Sequence, residues 1–338
     1  MSGEGAQAGQ VQAARERIEA RLPQDRWRAS ELVFWLVPVL AFFALPGYLL
    51  LGSQILIVGL FAVSLDLILG YAGIVSLGHA AYFGVGAYTA GLLAVHGWGE
   101  PLSGLVAGGA AAAAVGWLAG FLVIRGEDLT RLMVTLGIAL VLFEAANKAG
   151  AITGGVDGLS GMTMWKLLGM FRFDIAGRVA FAYSLVVLFV LFVLLRRLVH
   201  SPLGLSLRGV RERRKRMPAL GASVREREMT IFTISAAVAG VAGALLAQTT
   251  QFVALDVLGF SRSAELLIIL VLGGTGRLYG GLVGAAVYMI AQDVLAGINP
   301  VYWQFWIGAL LVVTVLFARG GILGGLAALQ ARWRRRAT

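Results

Sequence analysis

Residues 53–91 read SQILIVGLFAVSLDLILGYAGIVSLGHAAYFGVGAYTAG. The run from Ser53 to Gly70 is apolar with a single charge, Asp66, and it approaches the roughly 20 residues that a transmembrane helix needs. Residues 70–91 differ, because they contain six Gly and several polar side chains. Irregular backbone survives at membrane depth only where protein or water surrounds it. The stretch therefore predicts a membrane-spanning helix followed by a broken segment inside a helix bundle.

The whole chain has the composition of a membrane protein. Of its 338 residues, 59% are hydrophobic and 14% are charged, whereas soluble domains are about 45–50% apolar and about 25% charged. Its mean hydropathy is +0.83. Ten apolar stretches predict an all-α polytopic membrane protein with about ten transmembrane helices, some of them short or broken. The predicted spans are 32–50, 53–70, 71–95, 101–124, 129–146, 178–195, 229–254, 264–276, 278–297 and 301–318.

The basic residues predict the orientation of the chain. With ten spans, 23 of the 28 Lys and Arg fall on one side of the membrane and five on the other. Cytoplasmic loops carry the excess of Lys and Arg, so both termini are predicted to be cytoplasmic. The net charge of +10 is then an orientation signal, which argues against nucleic-acid binding. The predicted divisions are a cytoplasmic tail over 1–31, a transmembrane domain over 32–318 and a basic cytoplasmic tail over 319–338.

The broken segment is the first candidate for a translocation pathway. Ionisable side chains inside membrane spans are costly and are functional hypotheses by default. Close packing of helices through small residues is the competing explanation. Asp66 and His79 are expected to lie near each other, either as a structural polar contact or as a proton relay. The candidate pathway residues are Asp66, Gly73, Ser76, His79, Tyr82, Gly84 and Gly86.

Two loops are candidates for binding other proteins. The predicted external loop, 147–177, is longer than ordinary connections, which favours a binding role over a simple link. The predicted cytoplasmic loop, 196–228, carries ten basic residues. A basic run of this kind orients the chain and contacts lipid. Its embedded apolar run at Ala219 and Leu220, behind Pro218, predicts in addition a short helical turn that docks on a partner.

Four ordered segments resemble the signatures of branched-chain amino acid ABC transporter permeases, and most closely the LivM-type subunit. The resemblance covers roughly 50–320, and one departure is Asp66, where the family usually has Asn. The four segments are Gly70–Thr89, Thr153–Leu159, Ser201–Leu245 and Val271–Gly280.

This resemblance implies a multi-pass permease of the bacterial inner membrane that imports branched-chain or other hydrophobic amino acids. Its implied partners are a second related permease, two cytoplasmic ATPase subunits and a periplasmic binding protein. The binding protein would dock near Gly154, Gly155, Asp157 and Gly158. The ATPase-coupling residues that the resemblance implies are Arg211, Glu212, Ala219, Leu220 and Gly221.

The chain itself is not expected to be an enzyme. It has no Gly-x-x-x-x-Gly-Lys-Ser/Thr motif that could cradle ATP, no Cys for a thiolate metal site and no clustered catalytic set. No catalytic residue, metal or cofactor is therefore predicted. Two alternatives stay open: a proton-coupled secondary transporter of a small polar solute, and an ABC permease for urea or short amides.

Overall fold

The computed structural model describes residues 29–174, 176–317 and 320–325, and it is built from helices. The predicted tails, 1–31 and 319–338, lie almost entirely outside the described residues. In this part of the chain the only extended pairings are two isolated bridges. The helices are α1 (Ala29–Ala44), α2 (Leu49–Asp66), α3 (Ala80–Val95), α4 (Pro101–Val123), α5 (Asp128–Lys148), α6 (Gly150–Thr153), α7 (Arg178–His200), α8 (Pro202–Arg213), α9 (Val224–Thr250), α10 (Phe260–Gly273), α11 (Leu278–Ile298) and α12 (Trp303–Phe317).

An all-α membrane architecture is confirmed. Six helical stretches of the described residues are long and apolar enough to cross a bilayer. Shorter apolar helices accompany them within α1, α3 and α12. The total of ten spans and the side on which the termini lie stay predictions. The six long stretches are Pro46–Tyr71, Pro101–Val123, Leu129–Lys148, Arg178–His200, Val224–Thr250 and Leu278–Ile298.

The centre of the bundle is α9, which packs against α3 and α4. Small residues let these backbones approach closely. A Cβ atom on Gly86 would lie 2.0 Å from the carbonyl oxygen of Gly240, and one on Gly243 would lie 1.8 Å from that of Phe83. The contact between α3 and α9 therefore has room only for Gly at these positions.

A second group of helices packs around α2, which contacts α7 and α11. Large apolar side chains point outward from the outer helices α1 and α7. Examples are Phe43 of α1 and Val186 of α7, which are 76% and 61% exposed. Such a surface is costly in water but suits lipid chains. The buried core and the apolar outer surface together are those of a bundle that lies in a bilayer.

The predicted span 71–95 is wrong over its first part. After α2 the chain makes a π-helical turn, Leu67–Tyr71, and then runs without regular structure until α3 begins at Ala80. At 16 residues, α3 is about 24 Å long, which is less than the roughly 30 Å of a bilayer core. The Gly-rich sequence between Gly70 and Gly78 explains the break, because Gly supports turns and irregular backbone.

The predicted short span near 264–276 is confirmed as a short helix. It is α10, which has 14 residues and ends at Gly273. The chain then turns sharply into α11 through Gly274 and Gly276, whose φ angles of 109° and 77° favour Gly. This turn brings residues 274–276 beside the π-helical turn at the end of α2.

Candidate functional site

The candidate site lies at the end of the bundle where α2 finishes and α5 and α9 begin. We call this the basic end, because α8 and its many Arg side chains lie there. Asp66, in the last turn of α2, is fully buried. Its Oδ1 accepts a hydrogen bond of 2.7 Å from the backbone N–H of Gly276. Its Oδ2 has no hydrogen-bond partner among the described residues.

Helix α8 is attached directly to the π-helical turn. Arg211 donates a hydrogen bond from its guanidinium to the carbonyl oxygen of Gly70, and it also attracts Asp66 electrostatically. One turn earlier, the guanidinium carbon of Arg208 lies 5.4 Å from the centre of the Tyr71 ring, in a cation–π contact. A π-helical turn leaves backbone carbonyls outside the ordinary helical pattern, and such turns are frequent at functional sites. Two Arg side chains of α8 therefore hold the end of α2.

His79 lies deeper in the bundle and is buried. Its Nε2 is 2.9 Å from Ser64 Oγ and 3.5 Å from Ser235 Oγ, and its ring stacks on Phe61 with centroids 5.7 Å apart. The expected contact with Asp66 is not a hydrogen bond, since the two side chains have different partners in the described part of the chain. His79 therefore joins α2, α3 and α9, and no hydrogen bond between described residues links it to Asp66.

The other predicted pathway residues lie in α3 or in the irregular segment that precedes it. Ser76 and Tyr82 are buried, and Ser76 Oγ has no hydrogen-bond partner within the described residues. Gly73 lies against the side chain of Arg211, where a Cβ atom would be 3.1 Å from Arg211 Cγ. Gly84 and Gly86 are packed closely, Gly84 against Leu258 and Gly86 against α9. Packing alone thus accounts for these two glycines, while a pathway role for the seven residues stays a prediction.

A buried charge cluster at the basic end was not predicted. Glu228 of α9 is fully buried, and its carboxylate accepts hydrogen bonds from Arg131 of α5 at 3.1 and 3.2 Å and from Arg214 at 2.9 Å. Arg131 also donates to the carbonyl oxygen of Gly126 at 2.9 Å. The cluster links α5, α9 and the segment that follows α8. In the sequence, these side chains are hidden among many other charges, so no local pattern separates them from orientation signals.

The predicted coupling residues divide into two groups. Arg211 contacts the π-helical turn, as described above. The remaining four are exposed, and two of them belong to the short 3-10 turn Pro218–Leu220, in which Leu220 is 78% exposed. An exposed apolar turn beside an attached helix is a suitable contact for another protein. The four exposed residues are Glu212, Ala219, Leu220 and Gly221.

The predicted docking residues lie at the opposite end of the bundle. Asp157 is exposed and Gly155 and Gly158 are buried, in a tight turn that includes the 3-10 segment Gly155–Asp157. The following residue, Leu159, forms a backbone bridge with Val253. Exposed apolar side chains surround this loop, with Val156 at 81%.

Close by at this end, Glu100 caps α4 and accepts a hydrogen bond of 2.8 Å from the backbone N–H of Ser103. Hydrogen bonds from the Ser103 side chain and backbone hold the pKa of the Glu100 carboxyl below its usual value.

No metal site was found in the described residues, where no three His, Asp or Glu side chains come close enough together to hold an ion. The comparison with protein families agrees with a permease. The family model described as "Branched-chain amino acid transport system / permease component" matches residues 47–315. The chain belongs to this permease family. The match spans α2 to α12 and so includes the basic end, the broken segment and the loop at 147–177.

Two curated relatives are similar to this permease. The high-affinity branched-chain amino acid transport system permease protein LivM of Escherichia coli (strain K12) is 31% identical over 285 residues, which cover 77% of this chain and 66% of the relative. The protein of the same name from Salmonella typhimurium is 30% identical over 299 residues, which cover 81% of this chain and 69% of the relative. The chain thus spans about two thirds of the length of these relatives. No solved structure matches it.

Proposed function

We propose that this permease is the membrane-spanning subunit of an ATP-driven importer for branched-chain or other hydrophobic amino acids. The curated relatives are permease proteins of high-affinity branched-chain amino acid transport systems. The observation that carries the mechanism is the hydrogen bond from Arg211 of α8 to the carbonyl oxygen of Gly70. It joins the exposed loop that would meet the ATPase to the broken span that would form the path.

In the proposed mechanism, the loop transmits movement. An ATPase subunit binds the exposed turn around Leu220 and shifts α8 when it closes on ATP. Because Arg208 and Arg211 attach α8 to the π-helical turn, this shift pulls on the end of α2 and on Gly73. The irregular segment between Gly70 and Gly78 then changes its packing against α5 and α8. Rigid helices that pivot around a deformable segment are a common way to alternate access.

The proposed assembly contains a second related permease, two ATPase subunits and a binding protein that delivers the amino acid. The chain crosses the bacterial inner membrane ten times. Its basic end and both termini lie on the cytoplasmic side. The binding protein docks at the opposite end, around Gly154, Gly155, Asp157 and Gly158. The exposed position of Asp157 supports this placement.

Reconstitution tests the proposal. The chain is co-purified with its ATPase, sister-permease and binding-protein subunits, and radioactive leucine uptake is measured in proteoliposomes. We expect uptake that requires ATP and the binding protein, and that an imposed proton gradient neither drives nor accelerates. Uptake driven by a proton gradient with the ATPase omitted would overturn the proposal in favour of a secondary transporter. Uptake of urea with no uptake of leucine would overturn the assigned cargo.

A further inference from the structure

A second irregular segment lies at membrane depth, between α9 and α10. This Asp256 segment, residues 251–259, begins where Val253 and Leu159 exchange backbone hydrogen bonds of 2.8 and 3.1 Å. It contains one short 3-10 turn, Leu255–Leu258, and α10 follows at Phe260. Non-helical backbone at this depth is tolerated only when it is buried in protein or lines a watery cavity.

The Asp256 segment runs along α3 toward its N-terminus. Asp256 interacts electrostatically with Tyr88, and Leu258 packs on Gly84. Farther along, Ser263 Oγ accepts a hydrogen bond of 3.0 Å from the N–H at the start of α3. Since Gly84 precedes the end of α3 by 11 residues, the contact of Leu258 with Gly84 shows that the Asp256 segment reaches about 16 Å inside that end of the bundle.

Asp256 is an exposed carboxylate at this depth, and it makes no ion pair with any described residue. A charge at membrane depth is costly unless it is paired or hydrated, and it marks a functional site by default. Tyr88 of α3, which interacts electrostatically with Asp256, is 6% exposed, and its hydroxyl has no hydrogen-bond partner within the described part of the chain.

Asp256 lines a cleft between its own segment and α5. The cleft has a volume of about 380 Å³, which falls within the roughly 300–1,000 Å³ of small-molecule sites. Its walls are apolar apart from Asp256 and Ser261, and it opens on the side of α5 where Leu140 is 53% exposed. The lining residues are Ala139, Leu140, Phe143, Asp256, Leu258, Gly259, Phe260 and Ser261.

We propose that this cleft is a binding station for an aliphatic amino acid, with the ammonium group of the ligand on Asp256 and its side chain against Leu140, Phe143 and Phe260. The inference rests on the proposed function and adds a substrate site to it. A carboxylate selects an ammonium group, and an apolar wall selects an aliphatic side chain.

Thiol labelling tests the cleft without transport. The chain has no Cys, so Leu140→Cys supplies its only thiol, and the full transporter complex is labelled with a maleimide. We expect leucine and 3-methylbutylamine at ten times their Kd to slow labelling about tenfold. The acid 4-methylpentanoate, which lacks the ammonium group, should not protect. The control is Val301→Cys in the turn between α11 and α12, where the native side chain is 77% exposed, and no ligand should protect it.

Protection that persists in the double variant with Asp256→Asn, or equal protection by 4-methylpentanoate, would overturn the role of Asp256. Absence of protection by leucine and by the amine would overturn the cleft as a binding station. These outcomes are independent of uptake. If the wild-type complex takes up no leucine while the amine protects Leu140→Cys, the proposed function fails and the ammonium-binding cleft stands.

Leucine uptake supplies a second measurement. Asp256→Asn should lower the maximal uptake rate about 10- to 100-fold, as expected for the loss of a charge-assisted hydrogen bond. Asp256→Glu should retain most of the rate. The matched control is Asp293→Asn, which changes an exposed carboxylate of α11, a helix that packs on α2 and α10. Equal losses in both Asn variants, or no loss in Asp256→Asn, would contradict the proposal.

Discussion

The two irregular segments beside α3 differ in how far the rest of the bundle covers them. At the basic end, residues 72–79 are buried or half-buried, with the side chain of Arg211 of α8 against Gly73 and a hydrogen bond from the N–H of Leu77 to Thr135 Oγ1 of α5. At the other end, the Asp256 segment borders an open cleft of about 380 Å³, and its carboxylate makes no ion pair with a described residue. The comparison separates a closed, mechanically attached region from an open region that is suited to a ligand.

The largest effect is expected from the buried charge cluster at the basic end. Glu228→Ala leaves Arg131, which is 4% exposed, without its carboxylate. Removing one partner of a buried ion pair costs about 3–5 kcal/mol. We expect a clearly lower melting temperature of the purified protein in detergent. The control Glu226→Ala, at an exposed position on the same helix, should cost less than about 1 kcal/mol. Equal melting temperatures for the two variants would contradict the importance of the cluster.

The attachment of α8 to the broken span gives the next prediction. Arg211→Ala removes the hydrogen bond to Gly70. Because hydrogen bonds of charged groups contribute about 1.5–3 kcal/mol, ATP-driven uptake should fall about 10- to 100-fold. ATP hydrolysis by the complex should continue, since the ATPase keeps its docking surface.

Arg213→Ala serves as the matched control, because Arg213 is exposed on the same helix. Among the described residues, it donates no hydrogen bond to the π-helical turn. Unchanged uptake in Arg211→Ala would show that this attachment does not transmit movement.

The exposed turn at the basic end is the part of that region still available to a partner. Leu220→Ser should weaken binding of the ATPase about tenfold, which is about 1.4 kcal/mol. The reason is that Leu220 is 78% exposed in this chain and would become buried in the complex. Binding is measured by titrating the ATPase subunit onto the permease in nanodiscs. The same affinity for Leu220→Ser and wild type would place the docking surface elsewhere.

The smallest effect is expected on the stability of the open region. Asp256→Asn should change the free energy of unfolding by no more than about 0.5 kcal/mol, as for a substitution that removes no structural contact. This is the counterpart of Glu228→Ala, since one carboxylate is exposed and the other is buried between two Arg side chains. Melting temperatures measured in the same detergent compare the two directly. A large loss of stability in Asp256→Asn would make that carboxylate structural.

Sequence reasoning identified the broken segment and the loop that contacts it. Gly clusters and interrupted hydropathy are local signals, so the irregular backbone near Gly73 and the short helix α10 were both expected. The partners of Asp66 and His79 were not. Asp66 pairs with Gly276, which is 210 positions away, and His79 lies beside Ser64 and Ser235, which are single polar residues within apolar helices. Local patterns do not encode which helices become neighbours.

The sequence by itself determined the membrane architecture, the permease family and an exposed apolar turn around Leu220, because composition, span length and ordered motifs can be recognised along the chain. Only the tertiary structure decided which charges meet. Arg131, Arg214 and Glu228 come together because α5 and α9 begin at the same end of the bundle. Asp256 becomes a candidate ligand-binding residue because its segment runs along α3 and forms a cleft with α5. The energy of a charge depends on its surroundings, and those surroundings are assembled from distant parts of the chain.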